Sequence, residues 1–380
     1  MDFSFTREHE LVKQLMKQFV DNEVRPIAAE IDETERFPLE TIEKMAKYGI
    51  KGMSFSSQYG GSNTDYISYV IAVEELAKAC CSTACIYAVS TGLVAAMIEK
   101  FGNEQQKQKY LPGLLTGTSI GAFALTEANA GSDASAQQTV AKDMGDYYLL
   151  NGSKTFITNA GFSSVYIVMA MTDKSKGVKG ISAFLVEKDM EGFSIGKIEE
   201  KCGVRASSTG ELIFEDVKVP KENLLGKEGK GFNIAMAGLD GGRISIATQA
   251  LGLAEGALDE AIKYVKERKQ FGKPIGKNQG LQWYIAECAT KIEAGRALLY
   301  KAAWLKQAGL PFGKEAAMAK YYNSELAMEV AIKALQMHGG YGYTKDYAIE
   351  RMFRDAKITS IYEGTSEVQK IVISRHVLDL

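Results

Sequence analysis

The sequence predicts an α+β protein in which a block of helices, a block of strands and a second block of helices follow one another. Three observations carry that prediction. Apolar residues recur at three- and four-residue steps up to about residue 118; short β-branched runs separated by turn residues fill 119–225; and long helical periodicity returns over 226–380. With 380 residues, 46% of them hydrophobic and 24% charged, the chain has material for two or three domains and a sizeable core. The expected division is 1–118, 119–225 and 226–380.

In the first block Leu11, Leu15 and Phe19, and later Val73, Leu76 and Ala77, mark helix faces, with breaks at Pro26, Pro38 and Gly60-Gly61. After Pro112 the texture changes. Gly121 to Leu125, Tyr147 to Leu150, Val165 to Met171, Ile181 to Val186 and Leu212 to Val217 read as strands divided by Gly, Asn, Asp and Ser clusters. Beyond Pro220 and the GKEGKGF stretch (226–232), helical patterns run through ISIATQALGLAEGALDEAIKYVKERKQF and LQWYIAECATKIEAGRALLYKAAWLKQAG, and these predict a bundle. The strand block is too short for an array of βαβ units, which argues against a Rossmann domain.

Lys plus Arg number 45 against 47 for Asp plus Glu, so there is no electrostatic footprint for nucleic acid or an anionic membrane surface. A polyanionic ligand would have to be held by local basic residues. No apolar run reaches the roughly 18 residues of a membrane span. The opening MDFSFTREHELVKQLMKQF alternates charged and apolar residues, unlike a signal or transit peptide, and a cytoplasmic protein is expected. Cys80, Cys81, Cys85, Cys202 and Cys288 form no Cys-x-x-Cys pair, and His9, His338 and His376 are scattered. That excludes an obvious metal site and predicts reduced, mostly buried thiols, with Cys80, Cys81 and Cys85 packing a helix.

The chain lacks G-x-S-x-G, the phosphate loop, H-E-x-x-H and a strand-to-helix G-x-G-x-x-G, which argues against hydrolytic, P-loop and zinc chemistry. It does place polar, glycine-rich stretches where elements should continue. FALTEANAGSDAS (123–135) suits a backbone approaching a flat ligand, or is an ordinary surface loop. QMHGGYGYTKDY (336–347) interrupts a helical region. IYEGTSEVQKIVISRHVL (361–378) sets an acid, a glycine and two hydroxyls before a last amphipathic helix. Thr365 or Ser366 would cap that helix, whose N-terminus is a natural anion site; otherwise Glu363-Gly364 is only a turn and Thr365 only a cap.

FALTEANAGSD, NGSKTFITNA (151–160), LDGGR (239–243), ERKQFGKPI (267–275), QMHGGYGY, RDAKI (354–358) and IYEGTSE together resemble, in order and over most of the chain, the signature stretches of the acyl-CoA dehydrogenases. Within that family the similarity is greatest to the short-chain, butyryl-CoA type of bacteria. The resemblance implies an N-terminal α-helical domain, a central β-sheet domain and a C-terminal four-helix bundle, with FAD and an acyl-CoA between them. It also implies a homotetramer that passes electrons to an electron-transfer flavoprotein.

Removing an α-proton from a thioester requires a nearby base and stabilisation of charge on the carbonyl oxygen. Burial raises a carboxylate's pKa toward that task. The resemblance assigns the base to Glu363, with flavin N5 accepting the β-hydride to leave a trans-2-enoyl-CoA. Some relatives carry the base just before the Arg of the L-D-x-x-R stretch, where this chain has Gly242, so Glu363 is the candidate left. The thioester oxygen would be held by the Glu363 N–H and a flavin ribityl hydroxyl.

For FAD, the resemblance implies isoalloxazine contacts from Phe123, Ala124, Leu125 and Thr126 through Ser132, and from Phe156, Ile157 and Thr158. Thr126 and Thr158 would be donors to the ring. Phe156 stands where many relatives have Trp. Arg268, Gln279, Gln336, Met337, His338, Gly339, Gly340, Thr365, Ser366 and Glu367 match positions for the pyrophosphate and adenosine half, part of it on a neighbouring subunit; a guanidinium such as Arg268 grips phosphate bidentately. Ser132, Asp240, Gly241, Gly242, Arg243 and Gly364 match contacts to the CoA substrate.

The acyl pocket departs from the family pattern at Trp283, Tyr284 and CIYAVSTGLVAAM (85–97). These are core or interface residues, or they reshape the pocket for a flat aryl-acryloyl group. An alternative function is the reverse reaction: an enoyl-CoA reductase acting on crotonyl-CoA or aryl-acryloyl-CoA with an electron-transfer flavoprotein, in an electron-bifurcating complex. An acyl-CoA oxidase would need an extra C-terminal domain, and a non-catalytic scaffold would be expected to lack Glu363.

Overall fold

The computed structural model describes residues 4–379. The first block holds α1 (Arg7–Phe19), α2 (Ala28–Thr34), α3 (Leu39–Lys47), α4 (Tyr66–Ala79), α5 (Cys81–Tyr87), α6 (Ala96–Phe101) and α7 (Glu104–Thr116). Thr6 and His9 form a reciprocal capping box at the start of α1. His9 Nε2 also lies 2.8 Å from Asp65 Oδ2, and Asp65 in turn caps α4 by accepting from the Ser68 N–H. One of the three histidines is thus occupied with helix ends.

Between α5 and α6 the helix widens into π geometry over Ala88–Ala95, so Cys81–Phe101 is continuous. By length and composition this stretch would cross a membrane, with hydropathy 1.7, yet 89% of its apolar window is buried inside the protein. The apolar run in the sequence is interrupted by Ser82, Thr83, Ser90 and Thr91, all of which are buried. Ser90 Oγ accepts from the Gly121 N–H at 3.2 Å and Thr83 donates to Cys80 Sγ. This is a core helix, and Cys80, Cys81 and Cys85 pack it as small apolar residues.

The strand block is one sheet of β1 (Gly121–Ala124), β2 (Val140–Asp143), β3 (Tyr147–Thr158), β4 (Val165–Met171), β5 (Ile181–Glu187), β6 (Phe193–Ile198), β7 (Thr209–Pro220) and β8 (Leu224–Leu225). Its order is β6-β7-β3-β2-β4-β5-β8, with β1 parallel to β4. The continuous apolar run VYIVMAM of β4 has a simple cause. Ile167 and Met169 join the core shared with the helices, while Tyr166, Val168 and Ala170 join a second core on the other face. The strands β2 and β6 escaped the sequence reading because VAKD and FSIGKI are largely polar or half-exposed. β3 and β7 run well beyond their apolar cores, with register shifts between Leu150 and Gly152 and between Lys154 and Ile157.

The last block is α8 (Gly231–Glu267), α9 (Gln279–Gln307), α10 (Gly313–His338), α11 (Ile349–Thr359) and α12 (Ser366–Val377). α8 and α10 pack along their length, and α9, α11 and α12 complete the bundle around α10. A Cβ at Gly252 would sit 2.4 Å from Glu74 O, and one at Gly256 2.3 Å from Lys78 O. These glycines therefore let α8 lie directly on the backbone of α4, joining the first and last blocks. Between α8 and α9, β9 (Lys269–Gln270) and β10 (Lys273–Pro274) form a hairpin whose turn residues Phe271 and Gly272 both have positive φ, 50° and 76°. The Phe271 side chain at its tip is 96% exposed.

A loop after β6 ties all three blocks together. The Val204 N–H donates to Asp355 Oδ1 on α11 at 2.5 Å, Arg205 Nε donates to Asp32 O at 2.9 Å, and Arg354 pairs with Asp32 at 2.6 Å.

Candidate active site

The segment Tyr362-Glu363-Gly364 connects α11 to α12. Glu363 has φ +53° and Gly364 φ +92°. Left-handed backbone is uncommon outside glycine, and it is held in place only where the surroundings enforce it. Here they do. Thr365 caps α12 by accepting from the Val368 N–H at 3.3 Å, and the Ser366 N–H donates to Ser360 O at 3.0 Å. Gln369 Nε2 donates to Gly364 O at 2.9 Å and Lys320 Nζ donates to the same oxygen at 2.7 Å. Tyr362 donates its hydroxyl to Gln249 Oε1, and Gln249 Nε2 donates to Cys81 O at 2.7 Å.

The turn aims the Glu363 carboxylate at α8. The residue as a whole keeps some exposure, but Oε2 is shut off from solvent and has no hydrogen-bond partner. A Cβ at Gly242 would lie 2.8 Å from Oε2 and 3.3 Å from Cδ. Burial pushes the Glu363 carboxyl up to about 7, against the opposing cations of Arg243 and Lys320. Arg243 pairs with Asp240, yet its buried Nε has no partner. Buried orphan acceptors and donors are rare and require an explanation.

The stretches around residues 123 and 156 form a second wall. The Thr155 N–H donates to Thr126 O at 2.9 Å, stitching the end of β1 to the end of β3. The bulge between Lys154 and Ile157 carries Phe156 at φ +58° and leaves its ring 64% exposed, while Ile157 is buried and Thr158 half-buried. Of the neighbouring stretch, Ala124 and Leu125 are buried, Phe123 and Thr126 half-buried, and Ser132 exposed. Asn159 Nδ2 donates to Ile86 O at 3.3 Å and Gly121 O at 3.1 Å, fastening this wall to α5. On α5, the Cys85 thiol, pushed up to about 11 by burial, faces both Ser207 and Glu363. The Glu363 charge acts on this thiol, and α5, which carries it, is fastened to the strand wall through Asn159.

A third feature is a groove of about 990 Å³ on the bundle, lined by Arg268, Gln336, Met337, His338, Gly339 and Gly340 with Tyr264, Trp283, Tyr284 and Tyr341. Arg268 lies 5.6 Å over the Tyr341 ring and, among the described residues, has no carboxylate partner. Cβ atoms at Gly339 and Gly340 would meet nothing within 4 Å. His338 stacks on Tyr264 at 4.4 Å and its Nδ1 lies 2.8 Å from Ala334 O; burial lowers its pKa. The side chain of Gln279 is outside this lining, although its neighbours Asn278 and Gly280 belong to it.

The residues expected to hold one cofactor half are therefore split. Arg268 and Gln336–Gly340 share the groove, whereas Thr365, Ser366 and Glu367 begin α12 beside Glu363. Gln336 is about 24 Å further along α10 than Lys320, which touches Gly364, at 1.5 Å rise per residue. Trp283 and Tyr284 also require correction as acyl-pocket candidates. They are 60% and 39% exposed in the groove at the start of α9, away from Glu363. Their helix was rightly read, but sequence periodicity does not tell which end of a long helix meets the site.

Two buried lysines escaped the sequence reading. Lys320 contacts the turn that carries Glu363. Lys154, 0% exposed, donates to Glu127 Oε1 at 2.7 Å, Leu125 O at 3.0 Å and Gln137 Oε1 at 3.1 Å. The available signal was a lysine at an inward position of the NGSKTFITNA strand and an acid inside FALTEANAGSD.

A carboxyl held up by burial between a strand wall and a helical bundle is suited to taking a proton. The chain belongs to the acyl-CoA dehydrogenase family: residues 6–118 match its N-terminal domain, 122–217 its middle domain and 229–378 its C-terminal domain. It is 61% identical over 374 residues, 98% of this chain and 99% of the relative, to the short-chain specific acyl-CoA dehydrogenase of Clostridium acetobutylicum. It is 54% identical to the acryloyl-CoA reductase (NADH) of Anaerotignum propionicum, covering 100% of this chain and 96% of that protein. A chain in a solved structure described as the electron transferring flavoprotein of Acidaminococcus fermentans superposes with a TM-score of 0.98 at 54% identity, covering 100% of both chains.

Proposed function

We propose that this protein dehydrogenates a short-chain acyl-CoA such as butyryl-CoA at the α,β-bond, with Glu363 as the base. The observation that carries the reading is the Glu363 carboxylate itself: buried, unpartnered at Oε2, set against Gly242 and titrating at about 7. A carboxylate of that pKa accepts a proton from carbon far better than a solvated one, because its proton affinity is matched to neutral pH. The Glu363 N–H makes no backbone hydrogen bond among the described residues and is open to a thioester oxygen. The family resemblance gives Arg243, Asp240 and Gly364 to the rest of the acyl-CoA, and the pairing of Arg243 with Asp240 on α8, next to Gly242, supports that reading.

The residues present fit FAD. Phe156 offers an exposed ring on a bulge, Thr126 and Thr158 offer hydroxyls beside it, and the Arg268 groove offers an unpaired guanidinium and two open glycines. When bound, FAD would supply the acceptor for the β-hydrogen and its electron pair, and the electrons alone would pass on to an electron-transfer flavoprotein. Because the groove and the Glu363 turn are about 24 Å apart along α10, we assign the groove to the cofactor of a second copy. The fully exposed Phe271 beside it fits an assembly such as a homotetramer. The free, mostly buried cysteines fit a reducing cytoplasm.

Glu363→Gln tests the reading. The variant is expected to keep its flavin and bind butyryl-CoA, yet bleach the flavin at least ~10² to 10⁴ times more slowly. Near-normal bleaching would remove Glu363 as the base. A second reading, reduction of an enoyl-CoA by the same residues, is favoured by the similarity to the acryloyl-CoA reductase. Coupled assays with an electron-transfer flavoprotein, started from butyryl-CoA and from crotonyl-CoA, decide the direction.

A further inference from the structure

We infer that Lys320 is a positioning residue of this site: from the interior of α10 its ammonium fixes the Glu363-Gly364 turn by the Gly364 carbonyl and supplies, with Arg243, the positive charge that faces the Glu363 carboxylate. The inference rests on the reading of Glu363 as the base.

Lys320 is 0% exposed and among the largest fully buried side chains of the protein. Its one hydrogen bond among the described residues is the 2.7 Å contact to Gly364 O. A single neutral acceptor does not offset the cost of burying an ammonium, and such a group sheds its proton unless a counter-charge is near. The carboxylate that faces it most strongly is Glu363, with Glu325 on α10 and Glu367 on α12 more weakly; Arg243 on α8 opposes. Burial holds Lys320 down at about 8, so it remains largely charged at neutral pH. Seen from Glu363, the two facing cations are Arg243 and Lys320, and the other ionisable neighbours are Asp240 on α8, Cys85 on α5 and Tyr362 in the turn itself.

Arg243, the stronger of the two, is also paired with Asp240, whereas Lys320 has no carboxylate within ion-pair distance among the described residues. The mechanical contact adds to this. Two successive left-handed residues are held by a carbonyl that accepts from both Lys320 and Gln369, so the direction of the carboxylate depends on that oxygen staying in place.

The test uses FAD-loaded enzyme and the rate of flavin bleaching by butyryl-CoA from pH 5.5 to 9, in wild type, Lys320→Met, Lys320→Gln and Lys320→Arg. Loss of the cation raises the Glu363 carboxyl further, so the acid limb of the rate should move up by about 1 pH unit or more, the size of a nearby charge. The rate at pH 7 then falls about fivefold, approaching tenfold at the acid end of the range, while the plateau at high pH changes much less. Lys320→Arg should return the limb toward wild type. Lys320→Gln keeps a donor for Gly364 O without the charge and carries the same test if Lys320→Met does not fold. A rate lowered equally at every pH with the limb unmoved, or no change at all, overturns the role of Lys320 and leaves it a packing residue. Glu363→Gln run alongside separates the two ideas: retained bleaching there overturns the base and this role with it, whereas lost bleaching with an unmoved limb in the Lys320 variants overturns only the role of Lys320.

Discussion

Helix α8 passes close to the Glu363 carboxylate at Gly242, and Gly242→Ala perturbs that approach. The new methyl carbon would sit 2.8 Å from Oε2 and 3.3 Å from Cδ, inside ordinary contact distance. Oε2 must retreat by about 0.6 Å to reach a normal carbon–oxygen separation of ~3.4 Å. A misplacement approaching 1 Å costs on the order of 10² in rate, so flavin bleaching by butyryl-CoA should slow by roughly 10- to 100-fold. The effect on stability has the other sign or is small. Replacing glycine by alanine inside a helix favours folding by about 1 kcal/mol, set against an overpacking cost of similar size. Stopped-flow bleaching and denaturant unfolding on the same preparation read the two effects separately. A Gly242→Ala enzyme with the wild-type rate would refute the idea that the carboxylate works from this position.

Two further predictions concern buried charge. The Glu363 carboxyl titrates at about 7 in the fold against an ordinary 4.5, so its neutral form is favoured there. The stability it confers is full below about pH 4.5 and is lost as pH rises through about 7, by up to about 3 kcal/mol. Glu363→Gln should therefore be more stable than wild type at pH 8 and show no such gain near pH 4.5, measured by urea unfolding at the two pH values; an equal gain at both would contradict the burial. Lys154→Met strands the Glu127 carboxylate, whose oxygens also accept from the Gln138 and Thr139 N–H groups. A loss of about 3–5 kcal/mol is expected, with flavin released more readily because Leu125 O loses its donor; unchanged stability and unchanged flavin content would show the pair to be dispensable.

Much of this fold was legible in the sequence because its elements are periodic. β4 is found at the expected residues, since burial on both faces writes an unbroken apolar run. β2 and β6 were not legible, because a polar four-residue strand and a half-exposed edge carry no such pattern. Glu363, Gly242 and Arg243 were found through motif order, and the structure adds that Gly242 faces the carboxylate and that the Arg243 charge opposes its burial. Lys320 and Lys154 were invisible for a physical reason. In a sequence a lysine reads as surface, and only the fold shows that each ammonium is enclosed and aimed at a carbonyl.

On the proposal that Glu363 is the base, the geometry also accounts for a glycine at position 242. A carboxylate carried by residue 242 would start from a Cβ that is already 2.8 Å from Glu363 Oε2. Two carboxylates in that space would share one enclosed volume, and like charges so close cannot both ionise. Helix α8 and the α11–α12 turn therefore present alternative routes to one point, and the Glu363 side chain on the turn leaves space only for a hydrogen at position 242. In this chain the turn holds the acid, which places its direction under the control of Gly364 O and the groups that bind it, Lys320 and Gln369. A base fixed on a helix would inherit its position from the helix; a base on a left-handed turn needs those contacts, and the buried ammonium serves both the turn's shape and the carboxylate's charge.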